Sequence, residues 1–462
     1  MQIFKTYAES YPEVLDQRVV DLCLVGKHWN AVANSTPQLW TKINLSSPFP
    51  HIFPFPDHQF AAVLKRVRAS RLQKIDVSID FRDPDWDGSE TDYHDEDPYI
   101  PGEHAWVIGI MVMLEGTEGR WGSIKVVSNT WVPLYEFMHD WRRFTHLPSL
   151  ESISMQRDDS RLGLQGVSFS PRQLMEKKTL FGQNALLPKL RDVSLYAVHV
   201  DWNVCQNLRK LEITNQTHDV GPSFEEFATM LSSSPRLECL SVYGFCPEHH
   251  TVPALPAGGI PQLPVVHLPV LKEFVFGWKD VNLGCTFLRM FQIGDSLETL
   301  ALLDTESGFD YQPDPQTGGR GWKQESQEIF EVLCELGSAV PRDKDDTPSG
   351  PFISVRRLKR LRIYWTKAAR SSLVPFLATC TELEGFSSED IDENMTEDVM
   401  VWFSLRDRHR PGLVELSFWW RWYEEGPAFV ASLFSRLKSE GDVMLTRGAE
   451  QWIFGRDSPW DG

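Results

Sequence analysis

The chain has 462 residues, more than one compact core usually fills, which indicates either several domains or one extended array. Its 46 Lys and Arg residues are outnumbered by 64 Asp and Glu residues, so the net charge at pH 7 is −18. Charge of this sign repels phosphate backbones and anionic lipid surfaces, which argues against nucleic acid and membrane as partners.

The cysteines and the apolar runs bear on the compartment. Seven cysteines are scattered along the chain without a CxxC pair, which is typical of reduced, buried thiols. No basic leader followed by an apolar core opens the chain, and no apolar run approaches the roughly 18 residues of a membrane span. We therefore expect a soluble intracellular protein, cytoplasmic and/or nuclear.

The first fifty residues carry helical patterns. An apolar stripe with spacings of three and four residues predicts one helix through Leu22, Leu24, Val25, Trp29, Val32 and Ala33. Thr36 and Pro37 supply an N-cap and a first-turn proline, so a second helix should follow with Leu39, Trp40 and Ile43. Farther upstream, Ile3, Phe4 and Tyr7 also have helical spacing.

This N-terminal segment resembles the F-box over about 25 residues. The resemblance lies in Leu22-Cys23-Leu24-Val25-Gly26-Lys27-His28-Trp29-Asn30-Ala31-Val32-Ala33 and Ser35-Thr36-Pro37-Gln38-Leu39-Trp40. It implies that these helices pack against a Skp-type adaptor and, through it, a cullin scaffold. The adaptor-binding residues that it implies are Ile3, Phe4, Leu22, Leu24, Val25, Trp29, Val32, Leu39 and Trp40.

Two features of this segment depart from the family pattern. The family's opening leucine-proline does not precede the match, which predicts a truncated F-box with part of the adaptor surface missing. Gly26 takes the place of the usual cysteine, and a glycine inside a helix costs roughly 1 kcal/mol relative to alanine. The alternative is an ordinary helical hairpin that caps a repeat array, but a cap would not need Trp29 and Trp40 as two exposed anchors.

Beyond a Pro- and Phe-rich linker at 48–59, a short apolar-x-x-apolar-x-apolar pattern recurs. The bare pattern arises often by chance, but a proline two residues before an initial leucine is rarer and occurs at Pro148, Pro188, Pro235, Pro269 and Pro411. The ten triplets begin at Leu72, Trp121, Leu150, Leu190, Leu208, Leu237, Leu271, Leu297, Leu358 and Leu413.

Helix signatures lie between the triplets, including a capping box from Ser223 to Glu226 and a cap at Thr130. A segment that opens at Pro427 and ends at Gly441 is similar. One strand and one helix per unit indicate leucine-rich repeats, in which each unit buries its apolar face against its neighbours.

The predicted fold is therefore α/β, with a small all-α F-box helix cluster followed by a curved leucine-rich-repeat-like solenoid. The predicted boundaries are 1–47 for the F-box-like helices, 48–59 for the linker, 60–445 for the solenoid and 446–462 for a tail. Acidic or Pro- and Gly-rich stretches near 83–104 and 305–351 are predicted to be loop insertions.

The alternating residues of the strands are candidates for a concave, substrate-binding face, because strand neighbours point to opposite sides. Tyr196, Thr214, Tyr243, Tyr364 and Trp419 should then be partly exposed on one surface. The aromatic run Phe418–Tyr423 adds Arg421 to this set, since Trp, Tyr and Arg are enriched at binding hot spots.

Enzymatic readings have little support in the sequence. There is no GxSxG elbow, P-loop, GxGxxG or HExxH motif, so no catalytic residues are predicted. The loop with His94, Asp95, Glu96, Asp97 and His104, and the group Cys246, His249 and His250, are weak metal candidates, so we predict neither metal nor cofactor.

Three functions remain open. The first is a substrate-recognition subunit of an SCF-type cullin–RING ubiquitin ligase, acting by proximity on an unknown protein substrate. The second is a leucine-rich-repeat interaction scaffold with no ligase role. The third is a hydrolase or metal enzyme whose site lies in the insertions.

Overall fold

A computed structural model describes residues 15–46, 57–82, 101–159, 168–177, 180, 187–202, 205–217, 219–244, 263–305, 326–339, 350–389, 391, 393–407 and 415–419. In this part of the chain, ten α-helices accompany a large parallel β-sheet, which confirms the predicted α/β class. The chain divides into two compact units, Met1–Ser160 with Phe169–Val204, and Arg161–Ser168 with Cys205–Gly462. The domain boundaries drawn from the sequence stay predictions.

The described part of the first unit contains a helical hairpin, three further helices and five strands. Its helices are α1 (Leu15–Val25), α2 (Lys27–Asn34), α3 (Asp57–Ala69), α4 (Pro101–Leu114) and α5 (Trp131–Trp141). Its strands are β1 (Lys42–Ser46), β2 (Ile75–Asp80), β3 (Trp121–Ser128), β4 (Ser152–Arg157) and β5 (Asp192–Tyr196). All five strands are parallel and follow one another in chain order.

The second unit repeats the alternation of strand and helix. Its helices are α6 (Phe224–Ser232), α7 (Val281–Leu288), α8 (Gln327–Ser338), α9 (Arg370–Thr379) and α10 (Glu393–Asp407). Its main strands are β6 (Lys210–Thr214), β7 (Cys239–Tyr243), β9 (Glu273–Trp278), β11 (Thr299–Asp304), β13 (Arg360–Tyr364), β14 (Gly385–Glu389) and β15 (Glu415–Trp419). The strands β8 (Val266–Leu268), β10 (Phe291–Ile293) and β12 (Phe352–Ile353) form a small second parallel sheet.

The apolar triplets set the register of both units. In the first, Ile124 of β3 stands beside Ile153 of β4, which stands beside Val193 of β5. In the second, the equivalent row is Leu211, Leu240, Phe274, Leu300 and Leu361, all fully or almost fully buried. Each strand thus presents the apolar residues of its triplet to one side of the sheet.

The predicted capping box is confirmed at the start of α6. The Ser223 hydroxyl accepts a hydrogen bond from the Glu226 backbone N–H at 3.1 Å, and the Glu226 carboxylate accepts one from the Ser223 N–H at 2.9 Å. Two of the free donors at the helix start are satisfied in this way. The segment predicted at Pro427–Gly441 lies outside the described residues.

The second N-terminal helix predicted from Thr36 and Pro37 is wrong in extent. The chain makes one 3-10 turn, Pro37–Trp40, and then enters β1, where Ile43 is buried. Gly26 is likewise not inside a helix but separates α1 from α2 in an extended conformation. The helix-breaking cost expected there does not arise, since no helical turn has to accommodate it.

The first triplet was placed two residues too early. Val77 and Ile79 of β2 face Ile124 and Val126 of β3, whereas Leu72 lies in the preceding turn and is 91% exposed. Leu72 was taken as the first residue of the triplet because it is apolar, although it lies two residues before the equivalent position of the next strand. Two described helices lie in or beside the stretches predicted as insertions: α4 begins at Pro101, and α8 lies at Gln327–Ser338 with its apolar face buried.

In the second unit, the turns before β6, β7, β9, β11, β13 and β14 carry a row of alternating charges. At equivalent positions, one backbone carbonyl accepts two successive N–H groups from the next turn, as the Glu238 carbonyl does from Lys272 and Glu273 at 2.8 and 3.0 Å. The side chains at these positions alternate in sign along the row Arg209, Glu238, Lys272, Glu298, Lys359 and Glu384. We call this row the charge ladder.

Several neighbours in the charge ladder form ion pairs. Glu238 pairs with Arg209 at 2.9 Å and with Lys272 at 2.8 Å, and Lys359 pairs with Glu298 at 3.2 Å. Hydrogen bonds from Lys272 and Arg209 hold the pKa of Glu238 below its ordinary value. These pairs are exposed, so each contributes little to stability. Each pair joins the turns of two neighbouring strands.

Candidate protein-interaction site

The N-terminal hairpin of α1 and α2 is closed by local hydrogen bonds. The Asn30 side-chain amide donates to the Cys23 carbonyl at 3.1 Å, and the Asn30 backbone N–H donates to the Gly26 carbonyl at 2.9 Å. The first bond spans the junction between the helices, and the second is the first backbone bond of α2. The junction is therefore a fixed elbow.

One side of the hairpin is a small apolar core. Val19, Ala33, Leu39 and Trp40 are buried together. The Trp40 indole N–H donates to the Ala33 carbonyl at 2.8 Å. The Ala33 carbonyl, in the last turn of α2, also accepts from the Thr36 backbone N–H at 3.1 Å, so the indole is its second donor.

Trp40 also joins the hairpin to α3. The guanidinium of Arg66 lies 5.6 Å from the centre of the indole ring, and the Lys65 ammonium lies 5.4 Å from it. Arg66 is buried and also donates to the Lys42 carbonyl at 3.2 Å. A cation at this distance from an indole ring is attracted by the ring quadrupole. These two contacts therefore stabilise the packing of Trp40 against α3.

The opposite side of the elbow is apolar and exposed. Leu24 is 75% exposed and Val25 is 64% exposed, and Trp29 on the first turns of α2 is 36% exposed. These are three of the seven exposed large apolar residues in the described part of the chain. We call Leu24, Val25 and Trp29 the elbow patch.

The adaptor-binding residues predicted from the sequence thus fall into three groups. Leu24, Val25 and Trp29 form the elbow patch, and Val32 is half-buried. Leu22, Leu39 and Trp40 are buried inside the protein, so the expectation that Trp40 is an exposed anchor is wrong. Ile3 and Phe4 lie outside the described residues.

The sequence reasoning missed Lys65 and Arg66. Both follow the linker by only a few residues, and α3 carries basic residues in its last turn. The available signal was the group of Lys and Arg residues on one helix, because such cations commonly pack on the ring of a nearby tryptophan. The sequence pattern could not show that Ala69 of α3 and Cys23 of α1 pack against the same apolar cluster.

The predicted substrate face is only partly exposed. Tyr196 and Tyr243 are half-buried, but Thr214 and Tyr364 are buried, so their predicted exposure is wrong. Tyr364 packs with Val275, Ala301 and Leu303 in a second apolar cluster. These residues stand at the alternate positions of β9, β11 and β13, so this part of the face is core. The side chain of Trp419 and residue Arg421 lie outside the described residues.

The corresponding face of the first unit is polar. One registered row across β2 to β5 contains Ser78, Lys125, Ser154 and Ser194, none of which is buried. The next row holds Asp76 and Ser123, whose hydroxyl donates to the Asp76 carboxylate at 2.7 Å. The serine hydroxyls and the Lys125 ammonium can make hydrogen bonds with a partner across an interface.

Three of the described cysteines are poor nucleophiles. Burial raises the pKa of Cys285 to about 11 and also raises the pKa values of Cys239 and Cys334. Their thiols stay protonated at neutral pH, whereas the thiolate is the reactive form. The part of the chain that the structure describes also contains no cluster of three His, Cys, Asp or Glu residues able to hold a metal ion. The metal candidates at 94–97 and 246–250 lie outside it.

A search for membrane spans finds no helix of sufficient length and hydropathy among the described residues. A scan against models of known protein families gives no match, and a search of curated proteins likewise gives none.

Proposed function

We propose that the chain is a substrate-recognition subunit of an SCF-type cullin–RING ubiquitin ligase. The observation that carries the proposal is the elbow patch, an exposed apolar surface on a hairpin whose sequence resembles the F-box. An exposed patch of this kind on a fixed element is typical of a protein-interaction site. The Skp-type adaptor would cover Leu24, Val25 and Trp29.

The same proposal assigns the remainder of the chain to a leucine-rich-repeat-like solenoid. Three features support it: the strands of each unit are parallel, they follow chain order, and the turns before them repeat one hydrogen-bond pattern. Stacked units that bury their apolar residues only against neighbours have these properties. The ligase would then act by holding a bound substrate close to the ubiquitin donor.

Substrate contact is assigned to the polar sheet face of the first unit. Ser78, Lys125, Ser154 and Ser194 lie on this face, whereas Val275 and Leu303 close the equivalent face of the second unit. An interface of this composition is specified by hydrogen bonds rather than by apolar area. The substrate-binding role of Tyr196 belongs to the same surface.

The test is adaptor binding by the full chain, measured as a Kd with a purified Skp-type adaptor. Leu24→Ser with Val25→Ser should weaken binding at least about tenfold, because truncating interface anchors commonly costs about 2 kcal/mol or more. The matched control is Val265→Ser with Val270→Ser, two exposed apolar residues of the second unit. The control should bind as the unaltered chain does.

Two outcomes would overturn the proposal. One is a folded, unaltered chain that does not bind the adaptor at micromolar concentration. The other is an elbow variant that binds as tightly as the control. Either outcome leaves the interaction scaffold without a ligase role as the better explanation.

A further inference from the structure

Leu72 is the most exposed large apolar residue in the described part of the chain, at 91%. It lies in the turn between α3 and β2, where it contributes nothing to the core. Scattered single apolar residues are common on protein surfaces, and Val112 on α4, 53% exposed, is of that kind. Three observations separate Leu72 from such residues.

First, the turn that carries Leu72 is held in one conformation. Arg120 donates from its guanidinium to the Ser70 hydroxyl at 3.1 Å, to the Arg71 carbonyl, and more weakly to the Gln73 carbonyl at 3.4 Å. The Ser70 hydroxyl in turn donates to the Val67 carbonyl at 2.8 Å. A leucine on a turn held this way loses little backbone entropy when it binds a partner.

Second, the turn starts from the same small core as the elbow patch. Cys23 and Ala69 both pack against the cluster of Val19, Ala33, Leu39 and Trp40. Leu24 follows Cys23 directly, and Leu72 is three residues beyond Ala69, hence within about 11 Å of it along the chain. The helix end that carries the elbow patch and the turn that carries Leu72 are therefore both anchored on one small core.

Third, the segment made of α3 and the turn after it is basic in an acidic protein. From Asp57 to Lys74 there are five Lys or Arg residues and one acidic residue, although the whole chain has a net charge of −18. Arg66 is buried at Trp40, but Lys65, Arg68 and Arg71 are exposed. This local charge is complementary to carboxylates on a partner and would speed its association.

We propose that the turn 70–73 is a second contact region for the partner that covers the elbow patch. Leu72 inserts into an apolar site on that partner, and Arg68 and Arg71 face carboxylates at its edge. The partner is thus a protein with an acidic, apolar-centred surface. This inference rests on the proposed function, in which that partner is the Skp-type adaptor.

The experiment measures binding kinetics of the full chain with the purified adaptor. Leu72→Ser should raise the Kd at least about fivefold, chiefly through faster dissociation. Arg68→Glu should slow association and flatten its dependence on salt. Val112→Ser, in the same unit, is the matched control and should bind as the unaltered chain does. Because the altered side chains are exposed, thermal unfolding should not change.

The outcomes separate this inference from the proposed function. If the elbow variant loses binding while Leu72→Ser and Arg68→Glu bind as the control does, the second contact region is wrong and the proposed function stands. If the unaltered chain does not bind the adaptor at all, both fall. If Leu72→Ser and Val112→Ser weaken binding equally, Leu72 has no specific role and the inference is overturned.

Discussion

Replacing Trp40 with alanine should open the N-terminal hairpin and leave the sheet of the first unit folded. Trp40 is 3% exposed among Val19, Ala33 and Leu39, and truncating a buried tryptophan to alanine costs about 3 to 5 kcal/mol. The helices α1 and α2 have only 11 and 8 residues, fewer than the roughly 12 to 15 that an isolated helix needs. Their stability therefore comes from this cluster.

The assay is amide hydrogen exchange of the full chain. In Trp40→Ala, exchange should accelerate in residues 15–40 while β3 and β4 keep their protection. Trp40→Phe keeps an aromatic ring but loses the bond to the Ala33 carbonyl, so it should cost only about 1 to 2 kcal/mol. Unchanged exchange in residues 15–40 of Trp40→Ala, or equal acceleration in the strands, would refute the reasoning.

Three further changes probe the repeats and the strand ends. Leu240→Ala leaves a cavity in the central row, so urea unfolding should show a loss of about 2 to 5 kcal/mol. Gly244 has a φ of 59° and a Cβ there would overlap Asn215, so Gly244→Ala should lower the unfolding temperature, and an unchanged temperature would contradict this. Burial alone would raise the pKa of Asp80, but hydrogen bonds from Arg82 outweigh it and lower the pKa below 3.8. The stabilisation from Asp80 should be complete above that ordinary value and disappear as the pH falls through the lower folded-state value, so urea midpoints of Asp80→Asn and the unaltered chain should converge there.

The strand pattern was predictable because it is local. The leucines that follow Pro148, Pro188, Pro235 and Pro269 by two residues are buried, and the apolar pairs after them define the register. A period of two residues within a strand and a fixed offset from a turn can both be read from neighbouring letters. Spacing alone therefore located most of the sheet.

The elements that were missed lack that local signal. β14 has Ser388 at a position where the other strands carry an apolar residue, so no triplet is visible. The strands β8, β10 and β12 have two or three residues each, too few for any periodicity. In the first repeat, Lys74 stands at the position of the initial apolar residue and pairs with Glu151 at 2.7 Å instead.

The candidate site was half predictable for a different reason. The amphipathic spacing correctly placed Leu24 and Val25 on a helix, but it predicted neither the break at Gly26 nor which face is buried. Whether Trp40 is an anchor or a core residue depends on Arg66 and Ala69, which lie more than twenty residues later in the chain. The burial of Trp40 is thus set by residues that are distant in the sequence, and the spacing of apolar residues within one helix cannot predict it.

The charge ladder of the second unit affects which strands can pair while the chain folds. Its strands have similar apolar patterns, so each could pair with a strand other than its neighbour. If β9 skipped β7 and paired with β6, Lys272 would stand beside Arg209, and skipping β9 would likewise bring Glu298 beside Glu238. Like charges placed opposite each other destabilise a strand pair. Skipping two strands would restore opposite charges, so the alternation penalises only next-nearest partners, which are the closest competitors for each strand.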